Sequence, residues 1–362
     1  MSLKPQISPD AARAQAGASP EVKALVAQYT RQSGRLHWGE VLFWVLALST
    51  VFLFPHRYLI LAEIAWLALF TLSLDLILGY AGIVSLGHAA FFGFAGYAAG
   101  LLALHGIINE PVIALVVAGL AAAALGFVTS FLVVRGVDLT RLMVTLGIAL
   151  LLRELANRFS NITGGFDGLQ GIEIQPILGL FAFDIYGKVG FIYCLSVLFV
   201  MFLAARLIMG SPFGLSLRAI RNNPLRAAAI GIPVNRRLIA VYTLGAFFAG
   251  IAGALSTQTT ALASLDGFAF DRSADLMLVL VIGGTGYLYG GLIGAVVFKL
   301  LQEFFSTITP QYWQFWIGLV LVLIVLIGRE RMHRWAMWLP NQIMQRFGGK
   351  PTAPTPPVGD AP

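Results

Sequence analysis

Apolar stretches of about 20 residues recur along nearly the whole chain, at 38–54, 58–78, 88–105, 111–134, 142–158, 189–209, 238–260, 268–284, 291–308 and 312–328. A helix of about 20 residues crosses a hydrocarbon layer of ~30 Å. No water pairs with the backbone there, so every polar main-chain group must be satisfied within the protein. The chain therefore reads as an all-α polytopic membrane protein with about ten transmembrane helices, or eight or nine if some segments are re-entrant. Hydrophobic residues make up 58% and charged residues 11%, where a soluble domain carries about a quarter charged.

Charge location supports this reading. With the N-terminus inside, the cytoplasmic segments are 1–40, 135–141, 206–237 and 329–362, and they hold 18 of the 24 Lys and Arg residues. Arg57, Arg153, Arg158, Lys188, Arg272 and Lys299 are the rest. Basic residues collect in cytoplasmic loops, so both termini are expected inside. The formal charge of +7 then belongs to loops at a lipid surface and implies no nucleic acid. The loop before Leu238 and the basic run at 328–334 both belong inside, so 268–308 must cross twice.

The ends are polar. Residues 1–37 form a leader in which Ser19 can cap and Pro20 can start a helix presenting Val22, Leu25, Val26 and Tyr29 on one face. That is either an interfacial helix or a frayed amphipathic segment. Residues 38–330 form the membrane domain, with the polar segment 210–237 on its inner side. The Pro-rich tail 331–362 lacks core-forming residues and is expected to be disordered. Cys194, the single cysteine, lies in an apolar run and reads as a packing residue.

Glycine interrupts two apolar regions, "LGYAGIVSLGHAAFFGFAGYAAG" at 78–100 and "VIGGTGYLYGGLIGA" at 281–295. Paired Gly-interrupted segments mark the substrate path in many transporters. Gly93, Gly96 and Gly100 read as close-packing positions. Gly79, Gly82 and Gly87, with Ser85 and His88, admit either a path or packing, as do Gly283, Gly284, Gly286, Gly290 and Gly291 with Thr285, Tyr287 and Tyr289. "AFFAGIAGAL" at 246–255 echoes the first region.

Ionisable residues inside spans are costly and are candidates for function. Glu154 with Arg158, and Lys299 with Glu303, are spaced for pairing on one helix face. Asp75, four residues before Gly79, reads as a gate or helix-terminus contact. Nothing resembles a phosphate-binding loop, because Lys188 and Lys350, which follow glycine, precede Val189 and Pro351. No HExxH occurs, and the five histidines are scattered. No cofactor or metal site is expected, and any ATP hydrolysis must come from another protein.

The stretch "GLSLRAIRNNPLRAAAIG" at 214–231 carries Arg218, Arg221 and Arg226 and no acidic residue. Leu215, Ala219, Ile220 and Leu225 fall roughly on one helical face. Pro224 should kink or divide the helix. Such a segment suits a groove on an acidic-rimmed partner, or else serves only as a positive-inside anchor.

"GLSLRAIRNNPLRAAAIGI" followed by "AVYTLGAFFAGIAGAL" resembles the cytoplasmic loop and next span of permeases in high-affinity branched-chain amino acid ABC importers. "LDLILGYAGIVSLGHAAFFGFAGYAAG", "MVTLGIALLL…ITGGFDGLQGI" and "VLVIGGTGYLYGGLIGAVV" resemble that family's other motifs, the last being shared with sugar-importer permeases. The resemblance covers 58–330 and is closer to the M-type permease; urea and amide permeases are near relatives.

The resemblance implies a non-enzymatic permease of the bacterial inner membrane. Its expected partners are a homologous second permease, two cytoplasmic ABC ATPases and a periplasmic substrate-binding protein. It also implies a coupling helix over 214–231, where Gly214, Arg218, Ala219, Ile220, Arg221, Asn222, Asn223, Arg226, Ala228 and Gly231 are the expected contacts. The binding protein is expected on 159–188 and 261–274, with Asp266, Asp271 and Arg272 either part of that surface or a solvated helix end. Asp75, Gly79, Gly82, Ser85, Gly87, His88, Gly283, Gly284, Thr285, Gly286 and Tyr287 are the expected path. Where this family often has an acidic residue, the chain has Asn222–Asn223–Pro224. An alternative from another class is an ion-coupled secondary transporter using Asp75, Glu63 or Glu303; a passive channel is a third.

Overall fold

The computed structural model describes residues 38–327 apart from 109, 137, 178 and 185. The expected leader 1–37 and tail 331–362 lie outside the described residues. Thirteen α-helices run through them: α1 (Trp38–Leu53), α2 (Tyr58–Leu74), α3 (Ala89–Leu104), α4 (Pro111–Arg135), α5 (Asp138–Arg158), α6 (Ser160–Thr163), α7 (Lys188–Gly210), α8 (Pro212–Asn222), α9 (Pro224–Ala229), α10 (Val234–Thr260), α11 (Phe270–Gly283), α12 (Leu288–Ile308) and α13 (Trp313–Ile327). A helix lies on each of the ten apolar stretches.

Five of these helical segments are long and apolar enough to cross a membrane: 58–79, 111–135, 188–210, 234–260 and 288–308. The chain is thus an all-helical, multi-pass membrane protein. The chain divides into two compact units, with the boundary between Val297 and Phe298 inside α12. In the second unit Phe305 stacks on Trp316 with centroids 6.0 Å apart.

α10 organises the first unit and packs chiefly against α4, α3 and α2. Small residues explain how closely it does so. A methyl at Gly253 would run into the Phe92 carbonyl, and one at Gly250 would overlap Ala122. Backbones can approach only where such side chains are absent. The α3 motif and its echo in α10 therefore face each other across one crossing, and Gly93, Gly96 and Gly100 are packed against Phe268, Thr257 and Leu169. Outward-facing Leu120, Val128 and Leu132 of α4 remain exposed, as suits residues solvated by lipid tails.

Helix starts follow local chemistry. Pro111, Pro212 and Pro224 occupy first-turn positions, after Glu110, Ser211 and Asn223, whose side chains accept from the amides of Ile113, Phe213 and Arg226. Proline fits there because its missing N–H would have no partner anyway. Arg206 of α7 pairs with Glu40 of α1. Glu154 and Arg158, expected to pair, are both exposed on α5, and no ion pair joins them among the described residues. The buried thiol of Cys194 lies in the core, as its apolar setting suggested.

Candidate functional site: a node joining two glycine breaks to a cationic helix pair

α2 does not end cleanly. It passes into one π-helical turn, Asp75–Gly79, stays helical to Ala81, and then runs without regular helix until α3 begins at Ala89. π-helical turns are rare and concentrate at functional sites. Irregular backbone inside a membrane protein persists only where protein or a wet cavity surrounds it. Here Asp75, Ser85 and His88 are fully buried.

Three separate segments meet at this break. Asp75 Oδ1 accepts a 2.7 Å hydrogen bond from the Gly286 amide. The Arg221 guanidinium donates to the Gly79 carbonyl. Gly82 and Gly286 have φ of 73° and 81°, a region side-chain-bearing residues adopt at a cost. A methyl at Gly82 would sit 3.2 Å from Arg221 Cγ, and one at Gly286 3.0 Å from Arg221 Nη1. Both glycines therefore supply a bend and make room for the arginine. Arg218, one helical turn earlier, lies 5.2 Å above the Tyr80 ring, a cation–π distance.

The far side of the break is pinned differently. The Leu86 amide donates to Thr145 Oγ1 at 3.2 Å, and the Ala89 amide to Ser273 Oγ at 3.0 Å. Gly87 faces the Thr145 carbonyl so closely that any side chain would collide with it. His88 stacks on Phe70 and meets Phe91 edge-on, while Nε2 lies 2.8 Å from Ser73 Oγ. Because the Ser73 hydroxyl donates to the Phe70 carbonyl, the ring nitrogen is the donor in that contact. The structure thus encloses His88 among aromatic rings.

Of the second glycine region, Gly286 alone joins the node directly. Gly283 and Gly290 allow α11 and α12 to touch, since a methyl at Gly283 would overlap the Gly290 carbonyl. Thr285 is half-buried, Gly284 buried, and Tyr287 exposed.

The cationic segment divides at Asn223, as Pro224 suggested. Asn223 is extended, with φ −159° and ψ 103°, and its side chain caps α9. The buried face differs from the one expected. Gly214, Ser216, Leu217 and Ile220 are the buried residues of α8; Leu215 and Ala219 are half-buried, and Leu225 is 82% exposed. The break at Asn223 rotates Leu225 away from the face that carries Ile220. Asn222, Arg226, Ala228 and Ile230 are exposed beside Leu225, and Gly231 follows them. The result is a surface both apolar and cationic.

Asp266, Asp271 and Arg272 are all exposed, and Arg272 lies 6.0 Å over the Trp66 ring. Antiparallel bonding between Leu169 and Ala263 ties the two loops expected to meet a binding protein. The sequence reading missed Ser73, Thr145 and Ser273, because isolated hydroxyls in apolar runs carry no pattern.

Residues 58–325 match the family described as branched-chain amino acid transport system, permease component. The chain belongs to this family. It is accordingly a transport permease component rather than an enzyme. It is 27% identical to the high-affinity branched-chain amino acid permease LivM of Escherichia coli K12, across 70% of this chain and 64% of that protein. The chain thus spans less than two thirds of the length of that relative. It is 29% identical to the L-arabinose ABC transporter permease AraH of Azospirillum brasilense, across 90% and 95%. The ribose import permease RbsC of Escherichia coli K12 is 27% identical, across 63% and 74%. No solved structure matches the chain.

Proposed function

We propose that this chain is the membrane-spanning permease of an ATP-driven importer for branched-chain or related amino acids. In this reading it lies in a bacterial inner membrane, crosses ten times and keeps both termini inside. A homologous permease completes the path, two ATPases dock on α8–α9, and a substrate-binding protein docks near Asp266 and Asp271. The carrying observation is the bond from Arg221 to the Gly79 carbonyl. It joins an exposed cationic helix pair to the only π-helical turn among the described residues. A displacement of α8 by an ATPase would be felt directly at Gly79, and through Asp75 at Gly286. A nucleotide-driven shift between two conformations needs such a rigid link.

The amino-acid assignment rests on the family description and the LivM relatives. Relatives named for arabinose and ribose make sugar import the competing reading. The deciding experiment is co-expression with the products of neighbouring genes, followed by purification and ATPase assay with loaded binding protein. Co-purifying ATPases whose stimulation is lost in Leu225→Ser/Arg226→Ala support the importer. Uptake by the chain alone under an ion gradient, with no ATPase bound, overturns it.

A further inference from the structure

At the end of α10 remote from α8, the first turns of α2, the start of α11 and the loop between α10 and α11 border a half-open cavity of about 550 Å³. Glu63 and Trp66 of α2, Tyr97 of α3, Thr257 and Thr260 of α10, and Arg272 of α11 line it. The volume is that of a small-ligand site. Glu63 and Arg272 supply one acidic and one basic group to its wall. Arg272 is exposed and lies 6.0 Å over the Trp66 ring. Tyr97 contributes its ring, stacked on Phe268 with centroids 5.7 Å apart.

We propose that this cavity is a binding station for a zwitterionic α-amino acid with an apolar side chain. Glu63 receives the ammonium group and Arg272 the carboxylate. Trp66 and Phe92 contact the apolar side chain. Opposed charges complement a zwitterion, whereas a simple anion or cation meets a like charge as well as an opposite one. The permease itself then discriminates substrate, beyond whatever a binding protein selects. This inference rests on the amino-acid importer reading above.

The test is equilibrium binding of radiolabelled L-leucine to the full chain in lipid nanodiscs, competed by leucinamide, 4-methylpentanoate, D-ribose and urea. Saturable leucine binding is expected, with leucinamide and 4-methylpentanoate weaker by at least about tenfold, as loss of a charged hydrogen bond implies. Glu63→Gln should erase discrimination against 4-methylpentanoate alone, and Arg272→Gln discrimination against leucinamide alone. Absent saturable leucine binding, equal affinity for ribose, or unchanged discrimination in both charge variants would each overturn the station. ATP-driven uptake by the assembled importer separates the two readings. Leucine uptake undiminished in Glu63→Gln and Arg272→Gln rejects the station and leaves the importer standing. Uptake of ribose but not leucine by the wild type rejects the amino-acid assignment and the station together.

Discussion

The Arg221 guanidinium donates to the backbone carbonyl of Gly79, 142 residues earlier in the chain. Arginine presents a planar fork with fixed donor directions, whereas lysine offers a flexible point charge. Arg221→Lys should therefore keep the positive charge of α8 while loosening its grip on the break. We expect ATPase subunits to remain bound, with substrate uptake per ATP hydrolysed falling by about tenfold, the effect of ~1.4 kcal/mol. Parallel measurement of hydrolysis and uptake in proteoliposomes checks this. Proportional loss of both would mean that Arg221 contacts the ATPase instead.

Asp75 and Gly286 give a second test, because charge and hydrogen bonding can be separated. Asparagine retains an Oδ1 that can accept from the Gly286 amide; alanine does not. An unsatisfied buried donor costs about 1–3 kcal/mol. Asp75→Asn should leave most uptake intact, and Asp75→Ala should lower the melting temperature of the solubilised protein. If Asp75→Asn instead abolishes uptake while the protein stays folded, a titrating carboxylate is required, as in an ion-coupled carrier.

Each of the ten apolar stretches holds a helix, and five are long and apolar enough to cross a membrane, a requirement written residue by residue. The division at Pro224 was equally local and equally legible. The node was legible only in part. Asp75, Gly79, Gly82, Gly286 and Arg221 each stood out by type, yet their meeting depends on the packing of α2, α8 and the α11–α12 turn. Leu225 failed as a member of the α8 face because one extended residue, Asn223, resets helical phase. Glu63, Tyr97 and Arg272 lie on three helices, and no spacing along the chain relates them.

The positive φ at Gly82 and Gly286 makes a prediction with an internal control. Alanine at either position adopts a strained backbone, costing about 1–2 kcal/mol, and also presses on Arg221. Gly147 in α5 is helical and has nothing within 4 Å of its missing side chain. Gly147→Ala should be neutral or stabilising by up to about 1 kcal/mol. Thermal unfolding in detergent should rank Gly147→Ala above wild type and both node variants below it. The reverse order would show that the bend is not held as described.

The cap at Asn223 tests whether α9 must be ordered for coupling. Its side chain accepts a 3.0 Å bond from the Arg226 amide, and α9 is only six residues long, so little else holds its first turn. Removing such a cap costs typically about 1 kcal/mol. Asn223→Ala should fray α9, turn Leu225 and Arg226 out of position, and weaken ATPase association without changing overall thermal stability. Asn223→Asp keeps the acceptor and places a negative charge at a helix N-terminus, where it is favourable. We therefore expect Asn223→Asp to bind ATPase at least as well as wild type, measured by co-purification and by stimulated hydrolysis. Equal loss in both variants would show that the asparagine amide itself meets the ATPase, and that capping is incidental.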